Sequence, residues 1–302
     1  MTDTTQTPKE LKAAENRLKR EQRSLMIRRF MANRLAVCGL GLTVVICLIA
    51  FLGPLITQHE PLKVNPIDRL KPPSREHWMG TDNFGRDIYV RVLYGTRASL
   101  LIGFSVALLS SVIGVTIGLY SAYFKPLDHL LMRITDGLMA FPAILLAISV
   151  IAVFGPTTQN VILTLVVVYT PLIARVVRSN ALVVKEQPYI EALHALGSST
   201  TRIIWRHIFP NTVSSLIVQA SFVFAVSIIT EAMLSFLGVG IPAPHPSLGN
   251  ILYDGKNVIT SAWWMTVFPG AMIIGIVLGQ NILGDGLRDF LDPHTNKAVS
   301  KR

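Results

Sequence analysis

The sequence predicts an all-α integral membrane protein with six transmembrane helices. Two observations carry this. Apolar residues make up 51% of the 302-residue chain and charged residues only 15%, against about 25% charged in a soluble domain. The deficit is also concentrated: no Asp, Glu, Lys or Arg occurs in 35–59, 98–124, 137–174, 207–230 or 257–284. A helix needs roughly 20 apolar residues to cross ~30 Å of hydrocarbon. The 137–174 stretch, at 38 residues, is nearly two crossings, and Gly155-Pro156 near its middle reads as a turn. The expected helices therefore run over about 35–57, 99–122, 137–154, 160–175, 211–237 and 265–284.

The chain divides accordingly. A basic cytoplasmic tail (1–34) precedes the first transmembrane helix (35–57) and an external loop (58–97). A five-helix core (98–290) holds a cytoplasmic loop at 176–210, and a cytoplasmic tail (291–302) follows. In the first tail Leu11, Leu18 and Leu25 recur every seven residues. That spacing fits an amphipathic helix on the inner leaflet, and equally a solvated tail. The first long apolar run starts at Leu35 and is too long for a signal core, so it reads as a retained span.

Orientation follows from Lys and Arg. With the N-terminus inside, 20 of the 28 basic residues fall in cytoplasmic segments and eight outside. The positive-inside rule then puts both termini in the cytoplasm. The net charge of +10 sits beside the spans rather than along one soluble face, which points to the membrane surface and away from nucleic acid. Cys38 and Cys47 both lie in the first span. Nine residues of helix place them on opposite sides, ~13 Å apart along the axis, so they are expected as buried small residues that do not pair.

The external loop is rich in Pro and then reads Gly80-Thr81-Asp82-Asn83-Phe84-Gly85-Arg86-Asp87. Turn formers at this density predict a compact ordered loop, with Asp82 and Asp87 pairing with Arg86 or capping a helix that starts near Asp87. A second external loop, about 238–264, carries Pro242, Pro244 and Pro246. It fits either a docking surface or a lid.

The cytoplasmic loop is expected as two short helices. Pro188 suits a first helical position, Glu191 falls in the first turn, and Gly197 suits a left-handed stop. Ser198, Ser199 or Thr200 can cap a second helix running through Ile208, with Pro210 ending it before the fifth span.

Here the sequence resembles a family. Glu191, Ala192 and Gly197, with Ile208 and Pro210 downstream, resemble the EAA loop of ABC importer permeases, Leu193 standing where a second Ala is usual. The 80–87 motif resembles the oligopeptide/dipeptide subfamily, as do Ala140-Phe141-Pro142, the 234–240 segment and the 284–293 ending. The likeness is to the C-type permease of the pair, and relatives there carry nickel complexes or glutathione. The resemblance implies an ABC importer type I permease fold and a coupling helix at 188–208 that enters a cleft of the ATPase. It also implies a paralogous permease partner, two cytoplasmic ATP-binding subunits and an external substrate-binding protein, in a bacterial inner membrane. Peptides are the expected substrate.

Glu231 is the one acid well inside a span. Such a group faces a pathway, a neighbouring helix or the interface. Catalytic patterns are poor. Gly255-Lys256 lacks the rest of a P-loop, Gly103-Phe104-Ser105 lacks the nucleophile elbow, and the seven histidines have no metal spacing. The chain is therefore expected to be a transport subunit, not an enzyme, with no cofactor and no metal. A secondary transporter is the alternative, less supported because the halves do not read as inverted repeats; an intramembrane enzyme has less support still.

Overall fold

The computed structural model of the chain describes residues 31–57 and 60–291, together with Ser24. The expected tail helix through Leu11, Leu18 and Leu25 and the C-terminal tail beyond Leu291 lie outside the described residues. Among the described residues the fold is helical, with one isolated bridge between Thr81 and Asp87. Five helices are long and apolar enough to cross a membrane, six if a pair bent by 94° is counted as one broken span.

α1 (Arg34–Ile56) starts at Asn33, whose side chain accepts from Ala36 N. The same side chain donates to Gly286 O of α9 (Trp264–Leu291) at 3.2 Å. These two helices meet through small residues. A Cβ on Gly39 would lie 2.4 Å from Leu283 N, and one on Gly286 would lie 2.4 Å from Ala36 Cα. Backbone approach of this kind is how spans associate where apolar burial gives no drive. The opposite side of α1, with Leu48, Leu52 and Leu55, is exposed. That placement corrects the expectation for the cysteines: Cys38 is exposed and Cys47 half-buried, because α1 is peripheral and buries only one stripe.

α2 (Ile88–Tyr123) is 36 residues long, or about 54 Å at 1.5 Å per residue. It begins well before the expected 99, because Arg91 and Arg97 interrupt the apolar run without interrupting the helix. α3 (Lys125–Met139) and α4 (Ala143–Phe154) meet at 94° across Ala140-Phe141-Pro142. The expected 137–154 helix straddles this bend; Pro142 disfavours helix at the residue before it. α4 alone, at 12 residues, spans about 18 Å, short of the ~30 Å core.

α5 (Thr158–Lys185) extends ten residues past the expected 175. Arg178 makes a bidentate pair with Asp128 of α3 at 2.5 and 2.7 Å, and Arg175 reaches Asp136 at 2.5 Å. α6 (Pro188–Ala195) follows, then a turn of helix (Thr200–Arg202), a π segment (Ile203–Ile208), α7 (Phe209–Phe236), α8 (Leu248–Gly255) and α9.

Two apolar clusters hold the bundle. One joins α2, α4, α5 and α7 to the 190–208 segment through Val106, Leu119, Ile151, Leu165, Ile190 and Ile204. The other joins α1, α2, α7, α8 and α9 through Ile46, Ile88, Val92, Ile228, Leu248 and Met265.

Candidate functional site

At one end of the bundle α6 projects between α5 and α7. Pro188 opens it and Glu191 sits in its first turn. Gly197, at φ +75°, closes it: its N–H bonds to His194 O at 2.9 Å and Ser198 N–H to Leu193 O at 3.0 Å. That bond pair is the Schellman stop, which requires the left-handed residue in between. Ile190 is 1% exposed and fixes the segment to the core, whereas Glu191, Ala192, Leu196 and Gly197 face outward. Leu196 is 81% exposed.

Ile208 is buried and Pro210 exposed. Pro210 does not end a helix, contrary to the sequence expectation. The helix is continuous over Thr200–Phe236. A proline ring crowds the carbonyl four residues back in an α-helix. Just before the proline the helix is wound more loosely: Phe209 N–H bonds five residues back, to Ile204 O. Asn211 Nδ2 then donates to His207 O at 2.7 Å, satisfying another carbonyl near the proline. Ser199 occupies the N-cap position but makes no side-chain cap bond.

Two residues the sequence did not single out tie this segment to the spans. Tyr123, at the end of α2, places its hydroxyl 3.2 Å from His194 Nε2 and 3.5 Å from Thr200 Oγ1. Lys185 donates to Ala122 O at 3.1 Å and to Tyr123 O at 3.3 Å, closing the α2 terminus. An aromatic and a lysine beside helix ends were the only signals available.

The opposite end carries the 76–91 segment. Asp82 Oδ1 accepts from Phe84 N at 2.8 Å and Arg86 N at 3.0 Å, and its Oδ2 from Arg86 Nε at 2.6 Å. Gly80 and Gly85 both have positive φ, and a Cβ on Gly85 would fall 1.8 Å from Asn65 O. Asp87 caps α2, accepting from Val90 N at 3.2 Å, and its other oxygen lies 2.8 Å from His77 Nδ1. Thr81 is buried, and its carbonyl accepts from Trp264 Nε1 at 3.1 Å.

Arg86 also reaches Asp254 Oδ2 of α8 at 3.2 Å. Arg91 joins them, 3.5 Å from Asp82 and 3.7 Å from Asp254. Burial pushes the Asp254 carboxyl above its ordinary range, against the pull of Arg91 and Arg86. Sequence distance hid Asp254 from the motif it completes. Glu231, in α7, is fully buried beside this end. It accepts from Ser99 Oγ of α2 at 3.1 Å and from Ser235 Oγ at 2.8 Å. Ser235 Oγ in turn accepts from Ile241 N at 3.1 Å, so the acid links two spans to the loop after α7.

Among the described residues no group of His, Cys, Asp and Glu has the geometry of a metal site. One end thus carries an outward helix anchored through Ile190, and the other an ordered, internally paired polar cluster.

Comparison with known proteins gives consistent matches. Residues 114–297 match the family described as binding-protein-dependent transport system inner membrane component. Residues 22–73 match the N-terminal transmembrane domain of oligopeptide transport permease C. The chain is similar to a dipeptide transport system permease protein of Alkalihalophilus pseudofirmus, 44% identical over 262 residues covering 86% of each chain. It is also similar to a glutathione transport system permease protein of Pectobacterium atrosepticum, 41% identical over 268 residues, 88% of this chain and 89% of that one. The fold resembles the inward-facing MetNI methionine ABC transporter, with TM-score 0.56 and 22% identity over 68% of this chain and 98% of that one.

Proposed function

The chain belongs to the family of binding-protein-dependent transport system inner membrane components, and on that premise we propose that it carries di- and oligopeptides across the bacterial cytoplasmic membrane. It is a multi-pass permease subunit of an ABC importer, which works with ATP-binding subunits and a substrate-binding protein. The permease partner is a paralogous chain, making a heterodimer, with two ATP-binding subunits below it. ATP hydrolysis belongs to those subunits and this chain catalyses no reaction. Both termini lie in the cytoplasm.

The observation that carries the reading is the 188–208 segment. Its outward residues, Glu191, Ala192 and Gly197, sit on a helix whose inner residue, Ile190, is locked in the core. A push on that helix cannot be absorbed locally. It passes to α2 through Tyr123 and to α7 through Ile203, Ile204 and Ile208, all buried. Closure of the ATPases on ATP then moves the spans as a group and alternates access; hydrolysis resets them. The Asp82–Arg86–Asp254 plug holds the outer loops rigid while this happens, and Glu231 holds α7 to α2.

The test is uptake by cells lacking this chain. Loss of labelled di- and tripeptide uptake, with nickel and glutathione uptake intact, is the expected result. Loss of glutathione or nickel uptake alone, with peptide uptake intact, would replace the substrate while keeping the importer class.

A further inference from the structure

A cavity of about 580 Å³ opens at the polar end of the bundle, a volume within the roughly 300–1,000 Å³ of small-molecule sites. Its walls include Phe84, the Pro242-Ala243-Pro244 loop, Arg86, Arg91 and Asp254, with the Arg86 guanidinium 4.6 Å over the Phe84 ring. Arg91 is 2% exposed, and its Nε and Nη1 atoms are buried without a hydrogen bond. A buried donor left unsatisfied is costly, and more so on a charged group. The carboxylates that face it, Asp82 and Asp254, stand at 3.5 and 3.7 Å, beyond good hydrogen-bonding distance. Arg86 and Asp82 satisfy each other, so Arg91 is the group left wanting an acceptor.

The charges choose the ligand. Two arginines face two aspartates, so the cluster is neutral. Asp82, 1% exposed behind Arg86, balances that arginine from outside the cavity; an added anion would meet Asp254, and an added cation would meet both arginines. A neutral dipole that accepts from Arg91 and donates to Asp254 offends neither. An extended peptide residue has that form, because its C=O and N–H lie along one edge. Phe84 and the proline loop then offer an apolar wall to the side chains.

We propose that this cavity is a subsite for the main chain of a short peptide, read by Arg91 as donor and Asp254 as acceptor. The site rests on the peptide reading given above and deepens it. It recognises amide groups, not the charged ends of the peptide, and so accepts differing sequences.

The test uses the complete importer membrane complex in nanodiscs, without the binding protein. Labelled Ala-Ala-Ala and its N-acetylated, C-amidated form are titrated. Both should bind with affinities within about threefold of each other, because both keep their amides. Arg91→Met, which keeps the apolar stem, should weaken both at least tenfold. Ala243→Trp should do the same by filling the cavity from an exposed loop, independently of the ion cluster. Absence of binding to the wild-type complex overturns the proposal. So does wild-type affinity in either variant that assembles, or binding of the uncapped peptide alone. Peptide uptake in cells, measured with and without this chain, separates the two failures: uptake that depends on the chain keeps the permease reading even when the subsite fails.

Discussion

Arg86 shows how much one side chain holds at the polar end. It is 7% exposed and pairs with Asp82, itself 1% exposed. Removing one partner of a buried pair leaves an uncompensated charge and costs about 3–5 kcal/mol. Arg86→Ala should therefore lower the folded, assembled fraction in membranes. Immunoblots of membranes beside uptake competition check this, and a switched substrate preference at normal abundance would make the loop a selectivity element. Gly197 is the converse case. No atom lies within 4 Å of a Cβ placed there, so a side chain meets no clash. The cost of Gly197→Val is wholly the left-handed backbone, about 1 kcal/mol or more. That is enough to reshape the stop of α6 and too little to unfold a bundle of this size.

The seam between α1 and α9 is set by residue size. Gly39→Leu places a branched side chain where a Cβ alone would stand 2.4 Å from the backbone of Leu283. Overpacking costs about 1–3 kcal/mol where side chains can adjust, and backbone cannot adjust without parting the helices. The variant should lose several degrees of thermal stability in detergent, read by a fluorescence melt; an unchanged melt would place α1 elsewhere. Local chemistry made some elements legible in the sequence. The Gly197 stop, the Asp87 cap and the Asp82–Arg86 pair each act over five residues or fewer. The elements that were missed depend on distant partners. The extra turns of α5 carry Arg178, whose partner Asp128 lies on α3, far along the chain. The continuous 200–236 helix rests on a π segment that no hydropathy pattern encodes, and Pro210 read alone pointed the wrong way. Arg91 and Asp254 join the motif only when α8 folds back on α2.

At the scale of the molecule the two ends are built differently: one presents exposed residues on an anchored helix, the other is ordered and internally paired. Their opposition requires an orientation. Reporter fusions at Asp68 and Gly249 should score outside, and those at Pro126, Ser198 and Lys297 inside; reversal at Ser198 would remove the ATPases' access to the 188–208 segment. The central claim is that this segment couples ATP hydrolysis to movement of the spans. Its most direct measurement is ATP-driven uptake of labelled peptide into proteoliposomes holding the whole importer, with ATP hydrolysis recorded in the same vesicles. For Glu191→Lys and Gly197→Val the account predicts peptide uptake per ATP hydrolysed reduced at least tenfold, with the complex still inserted and assembled. Wild-type uptake per ATP in both variants would contradict it.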